Sequence, residues 1–227
     1  AHTSGAKVIL GPNVLFNLPH GDLRSAELDP DSLQVVRREE ILSRSRADLF
    51  LFPSLYDPEL MHRRLPSANC AAFPSGIDTE LFAPTNRERP FDVAIMAKGR
   101  YSDRETYALA WEQAESLHRL IKDDYRTTML TEYEHRDYPS LLEQFKIIVN
   151  TTPWETQGLA IMEAQAAVVP VIHRRGLPYQ PPSLALCQCD YTPESFRAAI
   201  PSVLADRARL SGISRLHIVN NFSLATM

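Results

Sequence analysis

The sequence predicts an α/β protein built on an open parallel sheet. Short apolar runs of strand length alternate with segments of helical period along most of the chain, which is typical of the strand–helix units that build parallel sheets. The composition, with 44% hydrophobic and 23% charged residues, is that of an ordinary folded protein. At 227 residues, the chain is long enough for one large domain or two small ones.

The order of the predicted elements divides the chain into two regions. A polar, proline-containing stretch at 74–90 lacks periodicity and predicts a linker, so we expect a first region with its linker at 1–84 and a second domain at 85–227. In the first region the pattern predicts strands at 7–10, 14–16, 48–52 and 70–73 and a helix at 31–44. In the second it predicts strands at 91–97, 127–130, 146–150, 168–172 and 184–187, and helices at 103–122, 138–144, 157–167, 193–205 and 207–220. The second region therefore has the pattern of a complete open sheet, and the first has the pattern of part of one.

Charge, apolar runs and cysteine content exclude several classes of protein. A formal charge of −4 argues against a domain that binds nucleic acid. No apolar run approaches the roughly 20 residues of a transmembrane helix, and the start of the chain lacks a signal-peptide pattern. Three cysteines form neither a disulfide framework nor a zinc pattern, so we expect no metal and a reducing, cytoplasmic setting. Because the chain starts at Ala1 instead of Met, we expect it to be a piece of a longer protein.

The segment from Asn150 to Ile172 carries the most chemical information. It runs from a predicted strand through a turn into a helix, and then into a strand opened by Pro170. Ligands of open α/β sheets bind at the carboxyl ends of the strands, and the first amides of the following helix attract anions such as phosphate. Glu155 lies at the mouth of the helix and Glu163 about two turns further along, and carboxylates bind sugar hydroxyls well. A glutamate in a first turn is equally typical of helix capping, and this spacing occurs by chance in many chains, so the spacing alone leaves both interpretations open.

The residues around these glutamates resemble the signature of the retaining GT-B glycosyltransferases, particularly family 4. That signature is a strand, a Ser/Thr-Pro turn, a Glu, seven residues, Glu-Ala and a Pro-Val-Ile-like strand. The residues in register are Thr152, Pro153, Glu155, Gly158, Glu163, Ala164, Ala166, Pro170, Val171 and Ile172. The run at 73–84 resembles the interdomain connection of the same family, in which Asp78 would cap a turn and Phe82 would anchor the linker. The stretch at 215–223 resembles the closing helix of the family.

The resemblance implies a fold and an activity. The fold would be the Rossmann-like open parallel sheet of a GT-B C-terminal domain, preceded by part of a second Rossmann-like domain. The activity would be that of a hexosyltransferase-like enzyme, which moves a sugar from a nucleotide-sugar donor to an acceptor hydroxyl with retention of configuration, and without a metal or other cofactor. The acceptor, whether glycan, lipid or protein, stays open. Family members often work at the cytoplasmic face of a membrane, so the implied location is cytoplasmic or peripheral to that face.

The resemblance also implies roles for individual residues. Glu155 would contact the donor sugar and would belong to the catalytic centre. Glu163 would hold the ribose hydroxyls, and the backbone amides near Gln157, Gly158 and Leu159 would bind the diphosphate.

Cations near the end of the first strand of the second domain would complete the site. Family members carry a Gly-Arg pair there, with a further cation a few residues on, and the present chain reads Lys98-Gly99-Arg100 with Arg104 beyond. Arg100 would neutralise the diphosphate at the catalytic centre, and the second cation would be Arg104 or Lys98. The attraction between such cations and a diphosphate is stronger in a closed cleft that excludes water.

The first region departs from the family pattern and keeps other functions open. The glycine-rich turn that opens the first domain of the family has no counterpart before Lys7, so this domain would be truncated or reduced. The first hypothesis is therefore a glycosyltransferase, whether or not this piece is active alone. The second is a non-catalytic nucleotide-sugar-binding or scaffold subunit. The third is a nucleotide-sugar epimerase or a phosphorylase of similar architecture.

The sequence also leads to expectations for five other side chains. We expect His20 to lie in an exposed loop, and His173 to lie either at the surface or against the donor. Trp154 is expected to pack under the turn. Cys187 and Cys189 are expected to alternate on a strand without a catalytic role.

Overall fold

The computed structural model describes residues 9–10, 47–53, 58, 62, 66–85, 87–97, 105–131, 133–153, 155, 157–177 and 180–225. The chain divides into two compact units. The first contains residues 1–75 together with 155–157, and the second contains residues 76–154 and 158–227.

The first unit contains a three-stranded parallel sheet. Its strands are β1 (Ile9–Leu10), β2 (Leu49–Phe52) and β3 (Cys70–Ala72), in the order β1-β2-β3. The side chains of Phe50 and Phe52 are buried and form the centre of a small apolar cluster. The three strands fall within the predicted runs 7–10, 48–52 and 70–73, while the predicted strand at 14–16 and helix at 31–44 lie outside the described residues.

The second unit is built on a five-stranded parallel sheet, which confirms the predicted fold class. The strand order is β5-β4-β6-β7-β8. The strands are β4 (Phe91–Met96), β5 (Thr127–Leu130), β6 (Phe145–Asn150), β7 (Val171–Arg174) and β8 (Gln188–Cys189). The helices are α1 (Glu105–Ile121), α2 (Tyr138–Leu142), α3 (Leu159–Ala166), α4 (Pro193–Ala205) and α5 (Arg207–Phe222).

Successive side chains of the central strands point to opposite faces of the sheet, so the core has two layers. On β4, Val93 and Ile95 pack into the cluster that contains apolar residues of α1 and α4, whereas Ala94 and Met96 pack into the cluster of α2, α3 and α5. Helices therefore cover both faces of the sheet, which explains why β4 and β6 are almost wholly apolar.

Most of the predicted linker, from Gly76 onwards, belongs to the second unit. Ile77 and Phe82 are buried in its core, and the amide of Ile77 donates to the carbonyl of Phe222 at 2.6 Å. The carboxylate of Asp78 accepts hydrogen bonds from the amides of Glu80 and Leu81 at 3.1 and 2.9 Å. These contacts confirm that Asp78 caps a turn and that Phe82 anchors the linker. The boundary at 84/85 remains a prediction about domains, while the compact units divide at Ser75.

The structure corrects several predicted element boundaries. The run 184–187 is wrong as a strand, because Pro182–Cys187 forms a 3-10 helix and the strand begins only at Gln188. Pro182 lies in the first turn of this helix, where its fixed φ and missing N–H are tolerated. Helix α3 begins at Leu159, two residues after its predicted start. Strand β7 begins at Val171, three residues late, because Val168 ends α3 in a left-handed conformation with φ 57°.

Candidate functional site

The turn that follows β6 lies at the carboxyl edge of the large sheet and is held from several sides. The amide and the hydroxyl of Thr151 both donate to the carbonyl of Met96 at 3.0 Å, and the hydroxyl also reaches the carbonyl of Ala110 at 3.0 Å. Tyr191 donates its hydroxyl to the carbonyl of Thr151 at 2.6 Å. The side chain of Asn150 accepts from the amide of Thr152 at 3.0 Å. This network fixes the chain where ligands of parallel sheets bind.

Helix α3 begins without a side-chain cap. Gly158 is its N-cap residue, with φ 77° and ψ 50°, a left-handed conformation that suits glycine. The first intrahelical hydrogen bond joins the amide of Met162 to the carbonyl of Gly158 at 3.0 Å. The amides of Leu159 and Ala160 therefore precede the helical ladder and can donate to an anion, which the helix dipole also favours.

Glu163 follows on the same helix, four residues or about 6 Å beyond Leu159. Its carboxylate pairs with Nε2 of His135 at 3.1 Å. The Glu163 side chain is 12% exposed, and that of His135 is 71% exposed. Counted from the observed start of the helix, Glu163 lies just over one turn inside, so it is close enough to serve the same ligand as the first amides.

The Gln157 side chain clamps the backbone of Ser75. Its Nε2 donates to the carbonyl of Ser75 at 2.6 Å, and its Oε1 accepts from the amide of Ser75 at 2.7 Å. Both residues belong to the first unit. The predicted role of Gln157 therefore concerns its backbone amide, since its side chain is committed to the clamp. Glu155 belongs to the same unit and is partly buried.

The predicted cations follow β4 in the sequence. Lys98, Arg100 and Arg104 lie outside the described residues, as do Trp154 and His20. Of the predicted site residues, the structure therefore places Glu155, Gln157, Gly158, Leu159 and Glu163. Gly158, Leu159 and Glu163 are brought together at the start of α3.

His173 is fully buried in β7, so its expected surface position is wrong. Its Nδ1 lies 2.8 Å from the carbonyl of Arg174, which assigns the ring proton to Nδ1. Burial lowers the pKa of His173 to about 4, and the hydrogen bond to Arg174 and the nearby side chain of Gln180 oppose this shift. The ring is therefore neutral at physiological pH.

Arg174 is a residue of this edge that the sequence analysis missed. It is the last residue of β7, and its side chain is buried. Its Nη1 donates to the carbonyl of Pro153 at 2.8 Å, and its Nε donates to the carbonyl of Arg175 at 3.2 Å. Arg174 therefore positions the turn that precedes α3. The sequence does show a cation at the carboxyl end of a predicted strand, and this position could have marked Arg174 as a residue of the site.

The two buried cysteines are inert thiols. Cys187 ends the 3-10 helix and Cys189 lies on β8, so the expected alternation on one strand is wrong. Burial raises the pKa of each thiol to about 12, which keeps both protonated and poorly nucleophilic.

The described part of the chain holds neither a helix that could span a membrane nor a cluster of metal ligands. No helix there combines the length and apolar character that crossing a bilayer requires. Within the same residues, no three His, Cys, Asp or Glu side chains gather as a set of metal ligands.

Comparison with known proteins identifies solved structures of similar fold. No family model and no curated protein sequence matches the chain. Among solved structures, Alr3699/HepE of Anabaena in complex with UDP and glucose superposes with a TM-score of 0.63 at 13% identity, covering 99% of this chain and 70% of HepE. Sucrose-phosphate synthase of Thermosynechococcus elongatus gives 0.61 at 19% identity, covering 88% of this chain and 59% of that enzyme.

A third comparison agrees with these two. The S. aureus protein TarM superposes with a TM-score of 0.60 at 14% identity, covering 82% of this chain and 43% of TarM. The chain thus spans about half the length of two of these three proteins. The neighbours are GT-B glycosyltransferases with Rossmann-like domains, and at this identity they establish the fold alone. The chain therefore has the α/β architecture of GT-B glycosyltransferases.

Proposed function

We propose that the chain is the donor-binding part of a glycosyltransferase, which moves a sugar from a nucleotide-sugar to an acceptor hydroxyl. The observation that carries this proposal is the uncapped start of α3 at the carboxyl edge of the sheet, with Glu163 about one turn beyond it. The first amides suit a diphosphate, and the carboxylate suits vicinal hydroxyls, so the diphosphate and the ribose of a nucleotide-sugar find complementary groups on one helix.

The chemistry of transfer explains why this arrangement would be useful. Negative charge develops on the nucleoside diphosphate as the bond to the sugar breaks, and preorganised donors that face this charge lower the barrier. The network around Thr151, Tyr191 and Arg174 holds the turn rigidly, so the amides need little reorganisation when the ligand binds. HepE, which has this fold, was crystallised with UDP and glucose.

The finer roles rest on the family resemblance. Glu155 would contact the donor sugar, while Arg100 and either Arg104 or Lys98 would neutralise the diphosphate. Retention of configuration and independence from metal belong to the same proposal. So do an acceptor hydroxyl on a glycan, lipid or protein, and a cytoplasmic location or one at the membrane face.

A panel of labelled donors tests the proposal. The protein is incubated with UDP-, GDP- and ADP-sugars that carry an isotope in the sugar, and both bound donor and released sugar are measured. Saturable binding of one donor with slow hydrolysis supports a glycosyltransferase. Binding without any turnover supports the scaffold alternative instead. If none of the donors binds, the proposal and both alternatives fail.

A further inference from the structure

A cationic cleft lies at the opposite edge of the large sheet, where the strands begin. It has a volume of about 680 Å³, and its charged lining consists of Arg87, Arg89, Arg126, Lys146, Arg207 and Glu88. Arg89 and Arg126 precede β4 and β5, and Lys146 is the second residue of β6. Since these three strands are parallel neighbours, their amino ends bring the cations together.

Only part of this positive charge is neutralised by carboxylates. Arg87 pairs with Glu143 at 2.7 Å, and Lys146 pairs with Asp92 at 2.7 Å. Among the described residues, no carboxylate lies within ion-pair distance of Arg89, Arg126 or Arg207. The cleft therefore carries an excess of positive charge that the described residues do not balance.

Arg89 forms the floor of the cleft. It is only 9% exposed, and its guanidinium donates to the carbonyls of Leu142, Phe145 and Ala167 at 3.2, 2.6 and 3.0 Å. Burial and the positive charge of Arg207 lower the pKa of Arg89, and the negative charge of Glu143 opposes this shift without cancelling it. Three carbonyls satisfy its N–H groups without supplying a full negative charge. A bound anion next to this buried guanidinium would therefore stabilise its positive charge.

The start of α5 adds donors to the same wall. The N-cap residue, Asp206, makes no side-chain cap, because its carboxylate pairs with Arg209. The first amides of α5 are therefore without that cap and lie next to Arg207. The hydroxyl oxygen of Thr85, which also lines the cleft, is buried and has no hydrogen-bond partner in the described part of the chain.

We propose that this cleft binds a phosphate-bearing anion, either inorganic phosphate or a phosphate monoester. The concave shape and the buried arginine favour a discrete oxyanion over a flat lipid surface, because a membrane contacts exposed basic and apolar side chains. Guanidinium groups match the geometry of a phosphate and bind it through paired N–H donors. The site lies at the other edge of the sheet from the start of α3 and does not depend on the proposed function.

Backbone NMR tests this site directly. Phosphate, pyrophosphate and glucose 6-phosphate are titrated into ¹⁵N-labelled protein, and the amides of Ser211 and Gly212 report on the cleft, while those of Gly158 and Leu159 report on the other edge. We expect saturable shifts at Ser211 and Gly212. Vesicles of phosphatidic acid, compared with phosphatidylcholine, test a lipid phosphate as the alternative ligand. No shift at the cleft amides with any of the three soluble anions overturns the proposal, whether or not the vesicles bind.

Two variants and a charge-matched control make the test specific. Arg207→Ala and Arg126→Ala should each weaken phosphate binding at least tenfold, because each removes a cation whose guanidinium forms no ion pair among the described residues. Arg197→Ala on α4 removes the same charge from a pair with Asp124 outside the cleft, and it should bind like the wild type. Arg89 is not used, because it also holds three carbonyls of the fold. If all three variants weaken binding equally, the anion is attracted only by net charge and the proposal fails.

Discussion

Replacing Glu163 by alanine should weaken nucleotide binding without unfolding the protein. The carboxylate pairs with a histidine that is 71% exposed, and an ion pair this open to solvent contributes at most about 1 kcal/mol to stability. A charge-assisted hydrogen bond to a ribose hydroxyl is worth about 1.5–3 kcal/mol, which corresponds to a change in Kd of about 10- to 150-fold. The loss of affinity should therefore exceed the loss of stability.

Isothermal titration with UDP measures the change in affinity, and urea unfolding measures the change in stability. Glu163→Gln should fall between the wild type and Glu163→Ala, because an amide oxygen still accepts a hydrogen bond but carries no charge. Glu112→Ala, an exposed glutamate on α1, serves as the matched control and should leave the Kd unchanged. A folded Glu163→Ala variant that binds UDP as tightly as the wild type would refute the assigned role.

Three further predictions concern residues that hold the site or the core. Arg174→Met should weaken UDP binding and lower the free energy of unfolding by about 1–3 kcal/mol, because the carbonyl of Pro153 loses its donor. Arg174→Lys should recover part of both the affinity and the stability. Equal UDP binding by the wild type and both variants would contradict a positioning role. Because the pKa of His173 is about 4 in the fold and 6.5 as its ordinary value, the unfolded chain takes up the proton first, and stability should fall by up to about 3 kcal/mol as the pH drops from 6.5 to 4. Urea unfolding at several pH values should show this fall, and the fall should be smaller in His173→Leu; identical pH profiles would contradict the assignment. The melting temperature should be highest for Val168→Gly, intermediate for the wild type and lowest for Val168→Ala. Glycine relieves a strain of about 1–2 kcal/mol in the left-handed conformation, whereas alanine keeps the strain and loses the contacts of the valine side chain. A glycine variant that melts below the wild type would count against strain at this position.

The large sheet was predictable because its signals are local. The apolar runs that became β4 and β6 are buried on both faces, so they read as continuous apolar strands. The bounds of β5 and α4 match the predicted 127–130 and 193–205, where flanking polar residues and an N-terminal proline mark the limits. Thr192 accepts from the amide of Ser195 at 3.2 Å, which is the expected capping contact.

The predicted secondary structure is wrong where contacts between residues distant in sequence, or an unusual backbone conformation, determine the structure. The stretch 184–187 is apolar enough for a strand, but the preceding prolines start a 3-10 helix instead. A left-handed conformation at a β-branched residue is rare, so the end of α3 at Val168 was not expected. Val168 nevertheless forms a Schellman motif, in which its own amide donates to the carbonyl of Gln165 at 3.2 Å and the amide of Val169 donates to that of Ala164 at 2.9 Å.

The candidate site was predictable in part for the same reason. The start of α3 and Glu163 lie within one short segment, and the resemblance of that segment to a known signature singles both out, while their roles in binding stay predictions. The clamp between Gln157 and Ser75 joins residues 82 positions apart, and no local pattern predicts such a pair. The cationic cleft likewise depends on the alignment of three strands that are distant in sequence.

The proposed donor site depends on binding of a nucleotide-sugar's diphosphate to the first amides of α3. A crystal structure of the protein with UDP is the decisive experiment. We expect phosphate oxygens within hydrogen-bonding distance of the amides of Leu159 and Ala160, with the ribose hydroxyls against the carboxylate of Glu163. UDP bound elsewhere, with the start of α3 facing only solvent, would contradict it.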